Sequence, residues 1–146
     1  MSRRPSGDQG TITILVVGFA VILLLLVAVV VDVSAVVLAR RGAASAADGA
    51  AIAAAQQLDQ SALYANGLGS AIPLSPEQVQ GAVAAYEAQA ALTQPGLRLA
   101  PSLDETSTTA SVVARRRLQL PFAAWFGLGE VTVTAVASAR APLVAP

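Results

Sequence analysis

The chain has 146 residues and no net charge, since nine arginines balance nine acidic residues, and it contains no cysteine, histidine or lysine. These absences exclude disulfides, thiolate nucleophiles, histidine bases and zinc–cysteine sites, and with them most hydrolase and metalloenzyme schemes. The balanced charge gives no reason to expect nucleic-acid binding, and the length allows one modest domain beside a membrane anchor.

Residues 11–31 are an uncharged apolar run, TITILVVGFAVILLLLVAVVV. A helix of about 20 such residues crosses about 30 Å of hydrocarbon, so the run predicts one transmembrane helix after a leader of residues 1–10. A secretory signal has an apolar region of only about 7–15 residues. Apolar residues also continue from Val36 to Ala39, so a cleaved signal is the weaker alternative.

Arginines flank the span on both sides, with Arg3 and Arg4 before it and Arg40 and Arg41 after it. The count of basic side chains is therefore tied under the positive-inside rule. The short leader also carries the terminal amine, whereas Arg40 and Arg41 lie farther from the span. We predict a cytoplasmic N-terminus, a cell-membrane location and an extracytoplasmic C-terminal domain.

The helix is predicted to continue beyond the span as a stalk over residues 32–58, because this alanine-rich stretch lacks a strong helix breaker. Gly42 and Gly49 lie seven positions apart with Ser45 and Ala46 between them. Such a small-residue surface lets another helix approach closely. Alanine-rich composition without a packing role is the alternative.

Asp32 ends the apolar run, at a depth where an ionised carboxylate needs solvent or a partner. Interfacial solvation is one explanation. Pairing with a cation of a neighbouring helix during assembly is the other.

A second helix is predicted after a turn at residues 66–70 (NGLGS). Ser75 suits the cap, Pro76 the first helical position, and Gln78 completes a capping box. An apolar stripe at helical spacing follows, formed by Val79, Val83, Tyr86 and Ala90. Pro95 and Gly96 end the helix.

The pattern then changes to period two, which predicts a small antiparallel sheet of about three strands. The first is short and runs through Leu97, Leu99 and Leu103 to a turn at Asp104-Glu105. The second covers residues 110–120 and the third residues 131–141, each with one apolar face.

Phe122, Trp125 and Phe126 are spaced so that one helical turn gathers them. A buried core plug is the expected role, and an exposed patch for a partner or the membrane interface is the alternative. The triplet Arg115–Arg117 divides its charge between two faces of a strand. Arg116 falls on the apolar face, where it needs a carboxylate that another subunit would supply; an edge position in the sheet is the alternative.

The acidic residues are dispersed, and the one adjacent pair, Asp104-Glu105, lies in a predicted turn where solvated charge is the ordinary explanation. No spacing suggests acid–base catalysis, a phosphate-binding loop or a metal site. We expect no enzymatic activity, no cofactor and no small-molecule substrate.

Several residues together resemble the N-terminal region of Tad-type (Flp) pilus-assembly proteins, the TadE/TadG-like group: Gly10, the apolar run, Val31-Asp32-Val33, Arg40-Arg41 and residues 46–52 (AADGAAI). The resemblance covers about the first 57 residues, and residues 131–141 are similar to the closing strand of such proteins. The residue patterns along the whole chain predict an α+β, pilin-like fold with residues 59–146 as a small extracytoplasmic domain.

The resemblance implies a minor pilin or pseudopilin that packs against other pilins or Tad assembly proteins. Asp32, Gly42, Asp48 and Gly49 are then candidate helix contacts, and Arg116, with the three aromatic residues, is a candidate partner surface. A prepilin peptidase cuts processed members after a glycine and leaves glutamate as the fifth mature residue. Cutting after Gly7 or Gly10 would put Ile12 or Leu15 there, which departs from that pattern and favours an uncleaved membrane component. A membrane-anchored binding or sensing module unrelated to pili is the alternative function.

Overall fold

The computed structural model describes residues 8–58, 64 and 73–141, which form an α+β fold. The helices are α1 (Asp8–Ala55) and α2 (Pro76–Ala91). The strands are β1 (Leu97–Leu103), β2 (Thr109–Gln119) and β3 (Glu130–Arg140), with a short 3-10 helix (Ala123–Phe126) between β2 and β3. The predicted combination of one long apolar helix, a second helix and a three-stranded sheet is confirmed. The turn predicted at residues 66–70 lies outside the described residues.

The three strands form one antiparallel sheet in the order β1-β2-β3. Successive side chains of a strand point to opposite faces, and here one face is buried against the helices while the other meets solvent. The buried face is apolar: Leu97, Leu99, Ala110, Val112, Ala114, Val133 and Ala137. Arg116 pairs with Leu97 on one side and Val133 on the other. It therefore lies in the central strand, and the edge-of-sheet explanation is wrong.

The stalk part of α1 supplies the other half of the core through alanine. The buried alanines recur at three- and four-residue spacing along one helix face: Ala39, Ala43, Ala46, Ala47, Ala50, Ala51 and Ala54. Because alanine ends at Cβ, the sheet can lie close to the helix backbone. The alanine-rich composition therefore has a packing role inside this chain.

The sheet runs along the whole stalk, with β2 antiparallel to α1. At the far end, Leu58 bridges Leu74, and the Leu74 N–H donates to the Ser107 carbonyl in the β1–β2 turn at 2.7 Å. At the other end, the β2–β3 connection contacts Asp32. Residues 32–55 of a helix rise about 36 Å, and 11 strand residues span about the same distance. The β2–β3 connection consequently lies where the apolar run ends.

Helix α2 packs on the core through the predicted stripe: Val79 and Val83 are buried, and Tyr86 and Ala90 are partly buried. Pro76 occupies the first turn as predicted, but the Ser75 side chain makes no capping hydrogen bond, so the capping-box prediction is wrong. Ser75 acts through its backbone, since its N–H donates to the Gln57 carbonyl at 3.0 Å. That bond ties the start of α2 to the end of α1.

The β1–β2 turn is organised by Asp104. Its carboxylate accepts hydrogen bonds from the Thr106 hydroxyl at 2.6 Å and from the N–H groups of Thr108 and Thr109 at 2.8 and 2.9 Å. These bonds, with that from Thr106 the strongest, lower the pKa of Asp104 from 3.8 to about 2. They also accompany the left-handed φ of 53° at Ser107. Asp104 thus has a structural role in the turn.

We expect Asp104 to contribute stability that is present above pH 3.8 and is lost as the pH falls towards 2. Between these values the unfolded chain binds a proton that the folded chain does not, so stability decreases with falling pH. Substitution Asp104→Asn should reduce this dependence, as measured by thermal unfolding of detergent-solubilised protein between pH 2 and 5. Glu105→Gln is the matched control; an unchanged acid dependence in Asp104→Asn would contradict the assignment.

Candidate functional site

The first part of α1 is exposed in the described chain. Every large apolar side chain between Ile12 and Val31 is exposed, and the most apolar window of the helix is 0% buried. A helix that belonged to the core of a soluble domain would bury at least one face. Among the described residues α1 is the one helix long and apolar enough to span a membrane, and it lies near the N-terminus. This fits a membrane-anchored protein; the orientation stays a prediction.

Asp32 joins this span to the sheet domain. Its two carboxylate oxygens accept hydrogen bonds from the backbone N–H groups of Phe122 at 3.3 Å and Ala123 at 2.8 Å. Those groups begin the 3-10 helix, where free N–H donors favour a carboxylate. Neither explanation predicted from the sequence includes this contact, because the partners lie 90 and 91 residues away. An added contact of Asp32 with another subunit stays a prediction.

The aromatic residues after this junction are exposed. Trp125 is 81% exposed, Phe126 72% and Leu128 71%, while Phe122 is half-buried and meets the Trp125 ring edge-on at a centroid distance of 6.0 Å. The expectation of a buried core plug is therefore wrong. The three aromatic residues lie in the connection between β2 and β3, beyond the sheet face that packs on α1. We call Trp125, Phe126 and Leu128 the apolar turn.

Side chains from elsewhere in the same chain pack against the two glycines of the stalk. A Cβ at Gly49 would overlap the Tyr86 hydroxyl of α2, and a Cβ at Gly42 would lie 2.8 Å from Gln94 Oε1. The close helix approach predicted for Gly49 thus takes place inside the chain, with α2. Asp48 is exposed on another face of α1. Contacts of Gly42, Asp48 and Gly49 with other subunits stay predictions.

Arg116 reaches α1 beside Gly42: its Nη1 would lie 3.5 Å from a Cβ there. Its Nε and the neighbouring Gln94 Oε1 are both buried, and neither has a hydrogen-bond partner among the described residues. The carboxylate that the sequence led us to expect from another subunit stays a prediction.

Arginines from three separate segments meet at this level. Arg115 and Arg117 face solvent as predicted, Arg98 pairs with Arg115 in the sheet register, and Arg40 and Arg41 are exposed next to Gly42. Two of the arginines have acidic partners: Arg98 with Glu87 at 3.0 Å and Arg117 with Glu130 at 3.8 Å. Six of the nine arginines thus lie at one level of the stalk, on both faces of the sheet and on α1: Arg40, Arg41, Arg98, Arg115, Arg116 and Arg117. We call this set the arginine band.

Cleavage after Gly7 or Gly10 stays a prediction. Gly10 lies in the first turn of α1, and Gly7 lies outside the described residues. Among the residues that the structure describes, no group of three or more acidic side chains is placed to hold a metal ion. A surface groove of about 600 Å³ between α2 and β1 includes Glu87 and Arg98, which are paired with each other.

Comparison with known proteins gives one match. Residues 10–57 match the Tad family, described as putative Flp pilus-assembly TadE/G-like. The match coincides with α1 and ends just after it, and it confirms the resemblance seen in the sequence for this segment. No curated protein and no solved structure matches the chain.

Substitution Gly49→Ala should destabilise the domain by about 1–3 kcal/mol, because the added methyl group overlaps the Tyr86 ring. Gly81→Ala in α2 is the matched control: nothing lies within 4 Å of its Cβ, and alanine there should stabilise the helix by up to about 1 kcal/mol. Denaturant unfolding in detergent measures both. Equal effects of the two substitutions would contradict the close approach.

Substitution Asp32→Ala should loosen the β2–β3 connection, since the N–H groups of Phe122 and Ala123 lose their acceptors at a cost of about 1–3 kcal/mol. Amide hydrogen exchange at these two positions should accelerate. Asp48→Ala removes another acid of α1, with an exposed side chain, and should leave the exchange unchanged. Unaltered protection in Asp32→Ala would show that the contact does not hold the connection.

Proposed function

We propose that this protein is a structural component of a Tad/Flp-type pilus-assembly apparatus or a related secretion system. In this proposal it is a minor pilin-like or pseudopilin-like subunit with no catalytic role. The match of residues 10–57 to the pilus-assembly family carries the proposal. The exposed apolar surface of the same helix supports it, because that surface needs lipid or other helices as neighbours.

The burial pattern indicates which part of α1 is available to other subunits. One face of the stalk is covered by the sheet and by α2 of the same chain. The span, in contrast, is exposed on all sides, and nothing lies within 4 Å of a Cβ at Gly18. Helix-mediated packing with other pilins or Tad assembly proteins is therefore assigned to residues 11–31, with the sheet domain packed along the stalk that follows.

The leader is retained in this proposal, because neither candidate cut leaves an acidic fifth residue. The protein then remains anchored by a single span with its N-terminus in the cytoplasm. Its extracytoplasmic domain would be presented to the assembling filament rather than to a small-molecule ligand.

Photo-crosslinking in the native cells tests the proposal. A photoreactive residue at Val21 or Leu24 of the span should capture pilus-assembly proteins, whereas one at Val136, exposed on the outer sheet face, should capture far less. Deletion of the protein should reduce piliation. Capture of no pilus-assembly protein from the span, with normal piliation after deletion, would overturn the proposal.

A further inference from the structure

We propose that the end of the sheet domain nearest the span contacts the membrane surface, with the apolar turn inserted in the lipid interface beside the span and the arginine band facing lipid phosphates. The inference rests on the membrane insertion of α1, which is part of the proposed function. It adds a second membrane contact, made by residues about 90 positions later in the chain.

The apolar turn lies beside the end of the span on α1. The two hydrogen bonds of Asp32 hold Phe122 and Ala123 directly after the apolar run of residues 11–31. That run rises about 31 Å as a helix, close to the thickness of the hydrocarbon. Trp125 follows Ala123 within one turn of 3-10 helix. The turn is thus held at the depth where the span leaves the hydrocarbon.

The apolar surface is continuous at this level. Exposed large apolar side chains on α1 do not stop at Val31 but continue through Val33 and Val37 to Leu38. The apolar turn stands beside this stretch and is as exposed as the span itself. A tryptophan ring, with an apolar body and one polar N–H, is typical of the interface between lipid and water. Lipid would cover both the exposed apolar side chains of α1 and the apolar turn, so no second partner is needed.

Asp32 does not oppose this placement, although it is acidic. Its carboxylate is half-buried and accepts two backbone N–H groups of its own chain. A charge that already has hydrogen-bond donors loses less when water is removed around it. The polar residue at the end of the span is thereby compatible with a neighbouring apolar insertion.

The charge distribution points in the same direction. The arginine band begins at Arg40, about 12 Å farther along α1 than Asp32, immediately after the last exposed apolar residues. Five of its six arginines are exposed and Arg116 is half-buried, whereas two acids, Glu87 and Glu130, pair with arginines of the band. The band therefore carries excess positive charge. Arginine side chains extend towards the headgroups while their stems cover apolar surface. An apolar turn followed by a basic band complements the hydrocarbon edge and the phosphate layer of an anionic membrane.

Tryptophan fluorescence tests the inference without labelling, because Trp125 is the single tryptophan of the chain. The full chain is reconstituted at low density in vesicles of phosphatidylcholine and phosphatidylglycerol. Brominated phosphatidylcholine, with bromine near the headgroup or near the bilayer centre, quenches by contact. We expect strong quenching of Trp125 by the shallow bromines, weaker quenching by the deep ones, and emission at shorter wavelength than in water.

Two variants with Trp125→Phe serve as controls. With Phe19→Trp the probe lies within the span, and deep bromines should quench it most. With Val136→Trp it lies on the outer sheet face, and neither lipid should quench it. If Phe19→Trp is not quenched, the membrane anchor of the proposed function fails. If it is quenched while Trp125 behaves like the probe at position 136, the anchor stands and the present inference is overturned.

A protein partner on the apolar turn, instead of lipid, would give a different result. Emission that is shifted without quenching, and that returns towards the value in water on dilution with lipid, would identify a second copy of this chain and overturn the inference.

The arginine band is tested separately: quenching of Trp125 should increase with the fraction of phosphatidylglycerol. Arg115→Gln combined with Arg117→Gln should weaken that increase, whereas Arg140→Gln at the far end of the sheet should not. If quenching increases equally in the unchanged chain, in the double variant and in Arg140→Gln, the role of the band is overturned.

Discussion

The close packing of the sheet on the alanine face of α1 is the constraint on which the rest of the structure depends. The buried alanines between Ala39 and Ala54 let β2 and β3 lie near the helix backbone. Seven small side chains bury little apolar area each, so the contact relies on its length and on the absence of gaps. The match between the stalk and the 11-residue strands makes this possible, because both extend about 36 Å.

This constraint explains where the large side chains lie. Little space remains between helix and sheet, so Val112 and Leu74 are among the largest fully buried residues. The aromatic residues of the β2–β3 connection lie beyond the end of the sheet, where Trp125 and Phe126 are exposed. Tyr86 finds its place only because Gly49 has no side chain. Close packing thus accounts for the small buried side chains of the stalk and for the position of Tyr86.

The same packing gives the two parts of α1 different exposure. The span offers apolar side chains in every direction, whereas the stalk has one face covered by its own domain. In the proposed pilus-assembly role, helix contacts between subunits therefore belong to the span. The end of the domain nearest the span carries the apolar turn and the arginine band, which are the residues proposed to contact the bilayer. Asp32 links the span to the domain.

Local patterns determined much of the structure from the sequence alone. An uncharged run of membrane length, the alanine-rich helix, the Val79–Ala90 stripe and the alternation in β2 and β3 each depend on neighbouring residues, and each has the structure that its period predicts. The resemblance to the Tad family likewise depended on a contiguous segment, residues 10–57.

Contacts between distant segments were decided by the tertiary structure. Asp32 meets residues 122 and 123, and the arginine band combines three segments whose charges are separate in the sequence. The exposure of Trp125 depends on which residues pack around the β2–β3 connection, and no local pattern reports that. Periodicity shows which side of an element is apolar; which element then covers that side depends on the path of the whole chain.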